Sequence, residues 1–293
     1  MTLNFIRYIY KHPFNSKNKL NGLFRYFKWQ IICRLNKHPI IYPYTENSKL
    51  LMWKGLSGAD SNFYCGLVEF DDMGFLLHFL RSDDLFVDIG ANIGSYTILA
   101  SGEKKAKSIS IEPIPSTFKN LTDNILINRL QDKVTPLNIG LGSSKGTLKF
   151  TKHLDSVNHV ATEDEKGTVD VKVDTLDSII SDQNPALLKI DVEGFETEVL
   201  NGAKNTLKSK ELKAIIIELN GSGDRYGYDE NKIYKKLIEH GFKAFTYNPM
   251  LRELKEISTY GNHNTIFIRD EQFVKDRIEN SRKIKIGNRQ QSI

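Results

Sequence analysis

Four short apolar runs, each with a carboxylate at or near its end, constrain this chain more than any other feature. They are LFVDI at 85–89, SISI before Glu112, LLKI before Asp191, and the run that closes on Glu218. Such runs are too short for buried helices. Helical stretches near 95–100, 115–128, 196–207 and 230–240 separate or follow them, so the runs read as parallel strands with helices on both faces. Further strands are expected near 134–139, 146–151, 168–173, 242–247 and 265–269, with a polar run at 153–166 that could wall a pocket or be a plain surface insertion. In sheets of this kind ligands sit at the carboxyl ends of the strands.

The first of those ends carries Asp88-Ile89-Gly90-Ala91-Asn92-Ile93-Gly94, a turn that opens a helix. Small residues let the backbone approach a ligand, and a helix N-terminus offers unpaired N–H groups. A dinucleotide fingerprint would need glycines where Asn92 and Ser95 stand, and no Gly-Lys-Ser/Thr phosphate loop is present. Glu112, at the end of the second strand, can accept hydrogen bonds from both hydroxyls of a ribose. Asp88 would face the cationic amino-acid portion of S-adenosylmethionine. Together they describe a nucleoside site without a pyrophosphate.

The segments FVDIGANIGSYT at 86–97, SIEPIPSTFKNLTDNILIN at 110–128, VDTLDSII at 173–180 and LLKIDVEGFETEVLNGA at 187–203 resemble the FkbM family of S-adenosylmethionine-dependent methyltransferases. The last segment is the most specific, and the resemblance extends over about residues 60–270. It implies an α/β fold: a Rossmann-like, seven-stranded class I methyltransferase sheet with helices on both faces, here with an N-terminal helical extension. It also implies O-methylation of a sugar, glycan or related natural product. Asp88, Gly90, Asn92 and Gly94 match the family's cofactor loop, Glu112 its ribose acid, and Lys189, Asp191, Glu193 and Gly194 its signature.

Methyl transfer from a sulfonium to a hydroxyl requires an aligned acceptor and a group to take its proton. Asp191, His159 and Glu193 are the candidates, in that order. Asp191 and Glu193 stand at a strand end beside the donor, and His159 lies in the polar insertion with a side chain suited to base chemistry near neutrality. Either acid could instead cap the following helix. Glu218, Asn220, Arg225 and Tyr226 could hydrogen-bond a polyhydroxylated acceptor. Asp191, Glu193 and Glu218 also suit magnesium, so a Mg2+ cofactor beside S-adenosyl-L-methionine stays open.

Charge is distributed unevenly along the chain. Residues 1–50 hold nine Lys or Arg against Glu46 alone and residues 281–293 add four bases, which leaves 51–280 at −7 within a net charge of +5. An acidic body argues against nucleic acid as a partner, as does the lack of an Asn/Asp-Pro-Pro-aromatic turn after the fourth strand. The expected organisation is a basic amphipathic extension at 1–57, the methyltransferase-like domain at 58–270 and a short basic tail at 271–293. A helix over residues 20–35 could dock on the domain or lie on an anionic membrane surface. Two cysteines, Cys33 and Cys65, make neither a disulfide framework nor a zinc site, no cleavable signal is visible, and no run approaches the roughly 20 apolar residues of a span, so a cytoplasmic protein is expected. Competing readings are methylation of a nitrogen or of nucleic acid, and a non-catalytic nucleoside-binding scaffold at the membrane.

Overall fold

The computed structural model describes residues 3–16, 19–36, 38–53, 57–287 and 292–293. The chain begins with helices α1 (Leu3–Lys11) and α2 (Lys19–Leu35), a hairpin of β1 (Ile40–Pro43) and β2 (Lys49–Met52), and helices α3 (Ser57–Cys65) and α4 (Phe70–Phe79). Alternation then opens with β3 (Leu85–Ile89), α5 (Ser95–Thr97) running into a π-helical turn (Ile98–Glu103), β4 (Lys107–Ile111), α6 (Pro115–Ile127) and β5 (Val134–Leu137). An excursion makes β6 (Gly140–Leu141), β7 (Gly146–Thr151) and β8 (Thr168–Asp174). The chain returns through α7 (Leu176–Ile180), β9 (Leu187–Ile190), α8 (Glu196–Asn201) and β10 (Ala214–Glu218). Helix α9 (Glu230–Glu239), strands β11 (Lys243–Asn248), β12 (Glu253–Ile257) and β13 (Asn264–Ile268), and helix α10 (Glu271–Glu279) complete it.

The apolar runs form one sheet in the order β12-β11-β13-β10-β9-β3-β4-β5. The five strands from β10 to β5 are parallel, and β13, β11 and β12 add antiparallel pairs at the far side. The alternation of side chains explains why the runs are apolar throughout. Ala214 and Ile216 of β10 point into one core while Ile215 and Ile217 point into the other, so both faces are buried. The sheet has eight strands where seven were expected. The additional strand, β12, is polar because it is an edge: Glu253, Lys255 and Glu256 are exposed and it pairs with β11 alone. The helix expected over 196–207 stops at Asn201, and a separate turn (Thr206–Lys208) follows.

Strand order reverses between β3 and β9. From β3 the chain steps outward through β4 and β5, then returns to β9 and β10 on the other side, which opens a crevice at the carboxyl ends of β3 and β9. The small sheet β6-β8-β7 contributes Gly140, Leu141 and Phe150 to the wall of this crevice.

Neither terminal segment stands apart from the body. Ile9, Phe14, Trp29, Tyr44, Leu50 and Met52 share a core with Phe75, Phe79 and Phe86. Residues 271–293, read as a short tail, instead supply α10 and buried Ile284, Ile286 and Ile293. The backbones of Ile284 and Ile293 exchange hydrogen bonds of 2.8 and 3.0 Å, and Gly287 N–H donates to Tyr44 O at 2.8 Å. No helix among the described residues is long and apolar enough to cross a membrane.

Candidate active site

A cavity of about 270 Å3 occupies the crevice. Gly90, Asn92 and Glu112 line it, whereas Asp88 and Gly94 support it from behind. Asp88 is buried, and its Oδ2 accepts from Thr97 N (3.1 Å) and Thr97 Oγ1 (2.6 Å), which pins the first turn of α5 under the loop. Its Oδ1 has no hydrogen-bond partner among the described residues, and burial raises its pKa despite the opposing influence of Lys189. Gly94 has φ +88°, and a Cβ there would lie 2.5 Å from Leu121, so this glycine lets the loop press onto α6.

Gly90 marks the switch point itself. With φ +78°, its ideal Cβ would fall 1.7 Å from the carbonyl oxygen of Asp191, so the turns after β3 and β9 can touch only through glycine. Glu112 completes the wall beside them. One carboxylate oxygen accepts from Asn92 N (3.0 Å) and the other from Ile114 N (2.9 Å). Burial pushes its pKa up to about 7 even though both backbone bonds pull the other way. Each oxygen keeps a further lone pair, which is the acceptor set a vicinal diol requires.

The cavity floor is a concentration of acids around one buried cation. Lys189 is 3% exposed; its Nζ donates to Asp191 Oδ2 at 2.8 Å and lies 4.8 Å from the centre of the Tyr96 ring. Burial opposes its charge, but Asp191, Glu69 and Asp88 outweigh that and raise its pKa. Glu193 follows in a strained left-handed conformation, φ +55°, with its carbonyl held by Arg225 Nη1 at 2.8 Å. Burial, then Asp191, pushes the Glu193 pKa to about 7, and burial with Asp191 and Glu193 pushes Glu218 to about 9. The turn is secured by Glu196, whose Oε1 accepts from Val192 N (3.1 Å) and Gly194 N (3.2 Å). Neither Asp191 nor Glu193 caps α8, whose N-cap residue is Phe195 with no side-chain cap, and Glu196, whose carboxyl burial raises to about 7, braces the preceding turn.

Asp191, Glu193 and Glu218 can each bring one oxygen within 4.8 Å of the others, the arrangement considered for magnesium. The Lys189 ammonium already neutralises Asp191 from 2.8 Å, and a divalent ion would have to compete with it.

The structure does not bring His159 to the cavity. Its Nδ1 meets Val157 O at 2.8 Å and its Nε2 meets Glu165 at 2.9 Å, so both ring nitrogens are spent inside the insertion. The insertion nevertheless forms part of the wall, through Ser156, Asn158 and Val160. Asn220 accepts from Ser222 N at 2.9 Å, and Tyr226 donates to Val160 O at 2.6 Å. Together with Arg225 they brace the turns around the site, and of the four residues proposed for the acceptor Glu218 lines this cavity.

A second cavity, of about 630 Å3, adjoins the first, and Val68, Glu69 and Glu218 line both. Its remaining wall mixes polar and apolar side chains from distant parts of the chain, with Lys11, Asp72, Tyr247, His263 and Asn264 beside Pro13, Phe70, Phe245 and Ile266. Helix α1 is tied over it: Tyr8 donates to Val68 O and His12 Nε2 to Leu67 O at 2.8 Å. Asn264 donates to Glu69 at 2.9 Å while its Oδ1 lacks a partner among the described residues, as does Oε2 of Glu218. Glu69, Asp72, Tyr96, Lys189 and Asn264 were not singled out as site residues from sequence; only Lys189 had a signal there, as part of the 187–203 segment.

The reversal of strand order, a glycine at its crossing point, a diol-ready carboxylate and an acid-lined floor define a nucleoside-dependent group-transfer enzyme of the class I methyltransferase fold. Residues 88–244, more than half of the chain, match the family described as methyltransferase FkbM domain. The chain is 33% identical over 174 residues to hexuronic acid methyltransferase AglP of Haloferax volcanii, covering 58% of this chain and 68% of that protein. It is 30% identical over 159 residues to methyltransferase sdnD of Sordaria araneosa, covering 42% of this chain and 61% of that one. Among solved structures, TrmK of M. capricolum with S-adenosyl-homocysteine aligns over 67% of this chain and 66% of its own, with 11% identity and a TM-score of 0.37. The chain belongs to the FkbM methyltransferase family, and it is an S-adenosylmethionine-dependent methyltransferase.

Proposed function

We propose that this chain methylates a hydroxyl oxygen of a sugar or glycan bound in the second cavity. The observation that carries the reading is the junction of the two cavities at Glu69 and Glu218, next to Asp191 and Glu193. The relative that acts on a hexuronic acid supports a carbohydrate acceptor. Acids and amides suit a polyol, whose hydroxyls donate to carboxylates and accept from amide N–H groups.

When bound, S-adenosylmethionine would supply an electrophilic methyl on a sulfonium, open to in-line attack by the acceptor oxygen with S-adenosylhomocysteine as the leaving group. Glu112 would hold the ribose diol, the backbone at Gly90 to Asn92 would permit close approach, and the acidic floor would stabilise the donor's positive charge. Asp191, fixed by Lys189, orients the acceptor hydroxyl. Glu193 takes the proton as the carbon–oxygen bond forms. With a pKa of about 7 and no hydrogen bond on its carboxylate among the described residues, it is matched to that task at neutral pH. Lys189 serves as the fixed cation of the cluster, so the step uses no divalent ion.

Glu193→Gln tests the reading. Turnover on the acceptor, assayed with labelled donor, should fall about 10²- to 10⁴-fold with S-adenosylhomocysteine affinity retained, and the wild-type rise in rate near pH 7 should vanish. Wild-type turnover should survive a chelator. Near-normal E193Q turnover would overturn the base assignment, and loss on chelation restored by magnesium would put an ion in the acid trio.

A further inference from the structure

Helix α2 has two faces of opposite kind. One is fastened to the body: Trp29 is buried against Phe63 with ring centroids 5.0 Å apart, Gly22 packs so closely that a Cβ would meet Asn15 at 2.4 Å, and Arg25 donates from Nε and Nη2 to Tyr64 O at 3.1 and 3.0 Å. The other face carries Leu20, Phe24, Phe27, Ile31 and Leu35 at helical spacing, exposed by 70, 67, 59, 55 and 84%. These five lie within about one quarter of the helix circumference, on the side away from Trp29. A stripe of five large apolar side chains left in water marks an interaction surface rather than a core.

Charge identifies what covers it. Lys19, Lys28 and Arg34 of the same helix are exposed, and residues 1–45 contain no Asp or Glu at all. We infer that α2 docks flat on an anionic lipid bilayer, its apolar stripe entering the acyl boundary and its bases meeting the headgroups. The anchored inner face sets the stripe in position before contact, so docking orders no additional helix. This inference is independent of the methyl-transfer reading.

The test uses the full chain and vesicles of phosphatidylcholine with about 30% phosphatidylglycerol, compared with phosphatidylcholine alone. The chain should sediment with the anionic vesicles, less with neutral ones, and less as salt rises. Phe24→Glu with Ile31→Glu should weaken binding about tenfold or more while circular dichroism and S-adenosylhomocysteine affinity stay unchanged, since both side chains face water. Lys28→Glu with Arg34→Glu should weaken it on anionic vesicles only. A wild-type chain that stays in the supernatant, or a stripe variant that binds as well as wild type, overturns the inference. So does a concentration-dependent dimer abolished by the stripe variant without vesicle binding, which would assign the stripe to a second copy.

Discussion

Glu112→Gln should move stability and cofactor affinity in different directions. In the folded chain the Glu112 pKa stands at about 7 against an ordinary 4.5, so the fold holds this proton where the unfolded chain has released it. Its contribution to stability is therefore present below pH 4.5 and lost as pH rises through 7, a difference of about 3 kcal/mol by pH 8. Glutamine removes that cost but turns an amide NH2 toward one of the two backbone donors, Asn92 N or Ile114 N, at about 1–3 kcal/mol. At pH 8 the variant should equal wild type or exceed it by up to about 2 kcal/mol in urea unfolding, and at pH 5 it should be the weaker. Affinity for S-adenosylhomocysteine at pH 8 should fall about ten- to hundredfold, because charge-assisted bonds to the ribose are lost. Calorimetry should also show wild-type affinity dropping about tenfold from pH 8 to pH 6, a slope that E112Q abolishes. A folded E112Q that binds like wild type at pH 8, or wild-type affinity indifferent to pH, would refute the ribose assignment.

Gly90→Ala should lose about 2–5 kcal/mol and most donor affinity, since its Cβ meets Asp191 O at 1.7 Å with φ +78°; Gly146→Ala, with nothing within 4 Å, is the control and should move unfolding by less than about 0.5 kcal/mol. Ile286→Ala should cost about 2–4 kcal/mol in urea unfolding, and a surface-like effect would show that 281–287 is not built into the core.

That Gly90, Asn92 and Glu112 meet in one cavity was legible because their signals are local. Gly90, Asn92 and Glu112 each sit within a few residues of an apolar run that declares a strand, and the strand's end fixes where they go. His159 looked poised for chemistry by the same reasoning, but Glu165, six residues along the same loop, claims its ring. The second cavity gave no such signal, since Lys11, Asp72 and Asn264 meet only after tertiary packing. Strand β12 escaped because only Leu254 and Ile257 of its five residues pack inward, and exposed Glu253, Lys255 and Glu256 hide them. The end of the chain misled through charge: in Lys283-Ile284-Lys285-Ile286 the bases alternate with a buried face, a period-two pattern that a count of charges hides.

The two cavities differ in where the chain encodes them. Apart from Glu218, every residue lining the larger one lies outside 88–244, the stretch that matches the family, and comes from positions 8–13, 68–72 and 245–266. On the proposed reading, donor handling is written mostly in the shared core, with Val68, Glu69 and Met73 added from outside it, and acceptor contact in the flanks. If the second cavity holds the acceptor, substituting the flanks of one such enzyme for those of another, with the core and its Glu218 left alone, would retarget the same chemistry.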